Sequence, residues 1–151
     1  MTRVMTPRLQ AIVRDGGCAV CGRQAGVGPQ HRNGRGMGGD PTGRLETLSC
    51  LMGMCNVTNQ RLEGDLQALA LLCGWKVPRK IPAALVPVWL PTWRMWVRLD
   101  DDGMRYPLTE DEASCMHDDA YGATLTYLDR LRDLTTPGEL HPLDWMCTRE
   151  F

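Results

Sequence analysis

Phenylalanine is nearly missing from this chain: its 151 residues hold one Phe, three Tyr and three His. A core stacked from aromatic rings is excluded except near the five Trp, so a chain of this size needs some further source of order. Long apolar runs are missing too. None approaches the roughly 20 residues that cross a bilayer as a helix. The opening Met1-Thr2-Arg3-Val4-Met5-Thr6-Pro7 lacks the apolar stretch of a secretion signal. The expectation is a cytoplasmic protein with no membrane association. A hydrophobic content of 43% is still enough for one modest core, which fits one domain with appendages rather than a disordered chain.

What the chain has in quantity is cysteine and glycine. Seven Cys, an odd number in a reducing compartment, argue for metal binding and free thiols rather than a disulfide framework. Four of them form two short pairs, Cys18-x2-Cys21 and Cys50-x4-Cys55. Two such pairs, separated by a loop of under about thirty residues, can place four thiolates at the corners of one tetrahedron, as a structural zinc ion requires. Cys73, Cys115 and Cys147 are left over. Between the pairs lies Gln30-His31-Arg32-Asn33-Gly34-Arg35-Gly36-Met37-Gly38-Gly39-Asp40. A lone His among Arg and Gly suits a site that approaches a phosphate backbone closely.

A net charge of −1 conceals a split. Met1 to Arg98 carries thirteen Lys and Arg against five Asp and Glu, a net of +8, and Leu99 to Phe151 carries four against thirteen, a net of −9. The basic part suits nucleic acid. The acidic part reads as the solvated faces of helices or as a surface for a protein partner.

Local patterns outline the elements. Leu9, Ile12 and Val13 predict a short helix over Thr6 to Arg14, stopped at Gly16-Gly17. Arg44 to Ser49 alternates imperfectly and is expected to be a strand. Leu62, Leu66, Leu69, Ala70 and Cys73 predict one helix from Thr58 to Leu72, ended by Gly74. Pro78, Pro82, Pro87 and Pro91 then leave extended pieces. Trp93 to Leu99 and Met104 to Pro107 predict a hairpin around Asp101-Asp102-Gly103. Thr109-Glu110-Asp111-Glu112 is a capping box for a helix, and Leu125, Leu128, Leu131 and Leu134 predict another over Tyr121 to Leu134. The implied division is a zinc-stapled core over 1–74, a Pro/Trp-rich extended segment and hairpin over 75–107, and an acidic helical region over 108–151. Trp89, Trp93 and Trp96 are read as packing residues rather than base-stacking ones. His117 and His141 have no Cys partner at ligand spacing and are assigned no role.

Taken in order, Cys18-x2-Cys21, then His31-Arg32 with Arg35-Gly36-Met37-Gly38-Gly39 behind it, then a short strand ending in Cys50, then Cys55-Asn56 opening a helix, resembles the HNH endonucleases of actinobacterial phages. The resemblance covers roughly residues 10 to 74. It extends more weakly through Gly74-Trp75-Lys76-Val77, Val86-Pro87-Val88 and Leu99-Asp100-Asp101-Asp102-Gly103, and leaves the last third uncovered. It implies a ββα-metal core with a separate structural zinc on Cys18, Cys21, Cys50 and Cys55, and the local patterns add a following hairpin and C-terminal helices, an α+β chain in all. It also implies hydrolysis of DNA phosphodiester bonds in the cytoplasm of an infected bacterial host. His31 would be the general base, since an imidazole takes a proton from water near neutral pH. A catalytic Mg2+ or Mn2+ would sit among Gln30, Asn56 and Asn59, and Arg32, Arg35 and Arg61 would grip phosphates.

Three positions depart from that pattern. Gln30 stands where Asp or His is usual, and Asn56 where His is usual. The middle Asn is missing, its candidate positions being taken by Leu45 and Glu46, of which only Glu46 offers a ligand oxygen. Neutral amide oxygens are weaker ligands for a hard cation. The alternative is therefore a decayed HNH scaffold that serves as a zinc-stabilised module for binding nucleic acid or protein. Asn56 also has an ordinary use as a helix cap.

Overall fold

A computed structural model describes residues 5–122. Its first helix, α1 (Pro7–Asp15), begins where Thr6 caps it by accepting from the Leu9 amide. Pro7 opens the first turn, and Gly16, at φ 64°, ends the helix in the left-handed region. This agrees with the sequence reading.

Strands β1 (Val27–His31) and β2 (Leu51–Cys55) pair antiparallel, with Val27 opposite Cys55 and His31 opposite Leu51. Helix α2 (Asn56–Glu63) leaves β2 without an intervening residue, and Cys55 serves as its cap. All five residues of β2 are buried. On one face Leu51 packs with Ala11 of α1 and with Leu48. On the other, Met52 and Met54 join the main core with Leu62 of α2. The α1 face lies so close that a Cβ on Gly53 would meet the Gly17 carbonyl at 2.9 Å. The strand expected over Arg44 to Ser49 is corrected by this register: that segment turns, and the strand starts at Leu51. Strand β1 has no alternating pattern that would announce it.

The single helix expected over Thr58 to Leu72 is two, α2 and α3 (Gln67–Leu72). Gly64 leaves helical geometry at φ −115° and ψ −109°, and the Leu66 amide bonds back to the Arg61 carbonyl at 2.9 Å. The heptad-like Leu spacing survives this break because both helices bury the same face: Leu62, Leu66 and Leu69 share the main core with Trp75. The fully buried Trp75 donates its indole N–H to the Trp89 carbonyl at 2.7 Å.

A second sheet follows, β3 (Val88–Leu90), β4 (Met95–Leu99) and β5 (Arg105–Leu108), in the order β3-β4-β5 and antiparallel throughout. The β4–β5 hairpin is the predicted one, and Asp100 accepts from the Asp102 and Met104 amides across its turn. Trp89 and Trp96 are a cross-strand pair with ring centroids 5.5 Å apart, as packing residues would be, whereas Trp93 is exposed beneath the Arg105 guanidinium. Helix α4 (Glu110–Tyr121) carries the expected capping box between Thr109 and Glu112. His117, left without a role in the sequence reading, is buried in α4 and stacked on Tyr121. The helix expected over Tyr121 to Leu134, His141 and the tail lie essentially outside the described residues. No helix among those described is long and apolar enough to cross a membrane.

The two parts are stapled together. Asn33 bridges to Val77 in parallel, and the Val77 amide donates to the Arg32 carbonyl at 2.9 Å. The Arg32 guanidinium donates to the carbonyls of Gly74, Ser49, Ala83 and Val86 at 2.7 to 2.9 Å. The boundary drawn at residue 74 on sequence therefore runs through a dense hydrogen-bonded joint.

Candidate metal centre and His31 site

The tight turn Cys18-Ala19-Val20-Cys21 is closed by the Gly22 amide bonding to the Cys18 carbonyl and the Cys18 amide bonding to the Arg23 carbonyl, each at 2.8 Å. The Ala19 amide ties it to the Gly53 carbonyl of β2. It thereby meets the end of β2, and Cys18, Cys21 and Cys55 come together, none more than 5% exposed and all three sulfurs within 4.8 Å of one another. These three buried cysteines are close enough to hold one metal ion. The Cys21 and Cys55 sulfurs are 3.7 Å apart. Two thiolates at about 2.3 Å from one tetrahedral zinc would be about 3.8 Å apart, so the spacing fits. The Cys18 thiol is pulled down to about 5, first by its hydrogen bond from Cys21, then by backbone amides of Cys21, Cys55 and Val20, against the opposing effect of burial.

Cys50 is not with them, and the four-cysteine set is corrected to three. Cys55 is five residue steps on from Cys50 along the extended β2, about 16 Å at the usual rise per residue. The Cys50 thiol instead sits 3.5 Å from Asn33 Oδ1, among Val77, Ala83 and Val86. Burial pushes its pKa up, which keeps it a protonated thiol.

His31 ends β1. Successive strand residues point to opposite faces. Gln30, opposite Met52, lies on the α2 side, and His31, opposite Leu51, lies on the α1 side. There His31 Nε2 meets Glu46 Oε1 at 2.8 Å, and Arg8 of α1 grips the same carboxylate through Nε and Nη2, both at 2.8 Å. Arg8 first, then His31, holds the Glu46 carboxyl down at about 2 despite partial burial. Glu46 was legible only as an oxygen near a vacant motif position; its partners come from α1 and β1, 38 and 15 residues away.

The other sequence candidates separate. Asn56 is the exposed first residue of α2 rather than its cap. Asn59, one turn on, presents its amide oxygen to Lys76 Nζ at 3.1 Å, and the same ammonium bonds Glu63 Oε1 at 2.7 Å. Arg35 is exposed on the Gly-rich loop, and Arg79 lies against Gly36 of that loop. Arg61 pairs with Asp65 at 2.9 Å. Arg32 as a phosphate ligand is corrected: it is 1% exposed and bonded to four carbonyls, a fixture of the core joint. Among the described residues, the Cys18, Cys21 and Cys55 cluster is the one group of three or more His, Cys, Asp or Glu side chains placed to hold a metal ion.

No protein family, curated protein or solved structure matches this chain.

Proposed function

We propose that the chain is a metal-assisted endonuclease of the HNH kind, hydrolysing DNA phosphodiester bonds on a ββα unit made of β1, β2 and α2, with zinc on the cysteine cluster. The observation that carries this reading is the 2.8 Å contact between His31 Nε2 and Glu46. A carboxylate held low at about 2 is anionic at neutral pH, so it accepts a hydrogen bond from Nε2–H and leaves Nδ1 with the lone pair. His31 Nδ1 then takes a proton from water, the water oxygen bonds to phosphorus, and the 3′ oxygen leaves and is protonated by solvent. Arg35 and Arg79, exposed at the Gly-rich loop, would neutralise flanking phosphates. A divalent cation such as Mg2+ or Mn2+, when bound, would supply charge stabilisation on the phosphate and the leaving oxygen.

A specific observation favours the second reading, a binding module without catalysis. Lys76 Nζ already satisfies Asn59 and Glu63 on α2, and the pleat separates Gln30 from His31. Nicking of supercoiled plasmid with Mg2+ or Mn2+, wild type beside His31→Ala, decides between them. The nuclease reading expects a rate loss on the order of 100-fold or more in the variant, with metal content and DNA affinity unchanged. Wild-type protein that binds DNA yet nicks with none of Mg2+, Mn2+, Co2+ or Ni2+ is a binding module.

A further inference from the structure

The two segments that meet at the cysteine cluster, a turn and a helix start, are closed by the same kind of hydrogen bond. In Cys18-Ala19-Val20-Cys21 the Cys21 amide donates to Cys18 Sγ at 3.5 Å, and in Cys55-Asn56-Val57-Thr58 the Thr58 amide donates to Cys55 Sγ at 3.5 Å. Thr58 thus holds in the second segment the place that Cys21 holds in the first. Both are buried, Thr58 completely. A tetrahedron needs a fourth corner, and Cys50 points away into another cluster. The Thr58 hydroxyl lies 3.2 Å from Cys55 Sγ. With an oxygen at the about 2.1 Å that zinc keeps to carboxylate oxygens and a sulfur at about 2.3 Å, the two would be about 3.6 Å apart around a tetrahedral zinc, a few tenths of an ångström from the metal-free spacing.

We propose that the metal centre is a three-thiolate site, Cys18, Cys21 and Cys55, whose fourth corner belongs to Thr58 and is filled by its hydroxyl oxygen. The proposal rests on the metal-binding reading of the cysteine cluster and is independent of the nuclease reading. Its chemistry differs from that of a four-thiolate staple. A neutral oxygen donates less to a soft or borderline ion than a thiolate does, and three thiolates leave a zinc centre with one negative charge instead of two. The fourth corner is consequently the weak one, where zinc is most easily lost and where an added thiolate has the largest effect.

The test uses the full chain, loaded with zinc and separately with Co2+, in four forms: wild type, Thr58→Cys, Thr58→Val and Cys50→Ser. Chelator competition reads affinity, and Co2+ absorption reads the number of coordinating sulfurs. Wild type and Cys50→Ser should each hold one zinc with equal affinity and show a three-sulfur Co2+ spectrum. Thr58→Cys should bind at least about tenfold more tightly and shift to a four-sulfur spectrum, and Thr58→Val should bind more weakly. A four-sulfur spectrum in wild type, or loss of zinc in Cys50→Ser, would overturn the proposal, and the wild-type spectrum does so even if a variant fails to fold. An unchanged spectrum and affinity in folded Thr58→Cys would also refute it. Wild-type protein without bound metal would instead overturn the metal reading of the cluster itself.

Discussion

The Arg32 Nε donates to the Gly74 carbonyl at 2.7 Å, a hydrogen bond that joins residues 42 apart and locks the β1–β2 unit to everything that follows α3. The same guanidinium closes on Ser49, Ala83 and Val86. Burial lowers its pKa to about 10, which still leaves it charged at neutral pH. A buried cation is tolerated here because four carbonyl dipoles face it.

Arg32→Ala should accordingly act on folding. It leaves four carbonyls without their donor and a cavity in the joint, a loss on the order of 3 to 5 kcal/mol. Denaturant unfolding measures it. A variant as stable as wild type that binds DNA more weakly would return Arg32 to the phosphate-binding role.

Gly74→Ala should be at least as damaging. Gly74 sits at φ +73°, and a Cβ there would lie 1.9 Å from the Pro87 carbonyl oxygen, backbone that cannot turn aside. The strain falls at the joint held by Arg32. Soluble yield and unfolding midpoint check this, with a loss of several kcal/mol or no folded protein expected.

Glu46 sets an acid limit on the His31 site. Its carboxyl is held at about 2 in the folded chain, below the ordinary 4.5, so the folded state binds fewer protons in that range. The stabilisation is fully present above about pH 4.5 and fades as pH falls toward 2, worth about 1 kcal/mol after allowance for solvent screening. Wild type should therefore lose more stability than Glu46→Gln between pH 5 and pH 2.5, read by urea unfolding at each pH. Equal losses would show that the Arg8 and His31 contacts do not act on this carboxylate in solution.

Metal removal should loosen the first half of the described chain selectively. The cysteine cluster ties the turn at Cys18 to the start of α2, so a strong chelator should lower the thermal midpoint by about 10 °C and expose amides of residues 18–31 and 51–58 to hydrogen exchange. Protection that is indifferent to the chelator would mean that the hairpin holds without metal.

The elements that could be read from the sequence are those whose hydrogen bonds close within a few residues. Thr6-Pro7 starts α1 and Gly16 ends it, Thr109 and Glu112 cap α4, and Asp100 to Gly103 turns β4 into β5. In each, the side chain that sets the geometry is a neighbour of the backbone it satisfies. The pairing of Cys18 with Cys21 belongs to this class, because a four-residue turn brings two thiols together whatever surrounds it.

What tertiary structure alone decided are the choices that depend on register and reach. A spacing of four residues cannot say whether Cys50 and Cys55 converge. An intervening turn would bring them together, but β2 is extended and sends them to different clusters. Arg32 and Arg35 look alike in a Gly-rich basic loop. Arg32, the residue directly after β1, is buried among carbonyls contributed by residues 49 to 86, and Arg35, three residues further on, is left in water. Glu46 became the partner of His31 because α1 and β1 fold onto the loop that carries it. Short motifs carry their own hydrogen-bond partners, whereas a buried charge or a metal ligand draws its partners from distant chain segments, and these become neighbours only when the strands take their register.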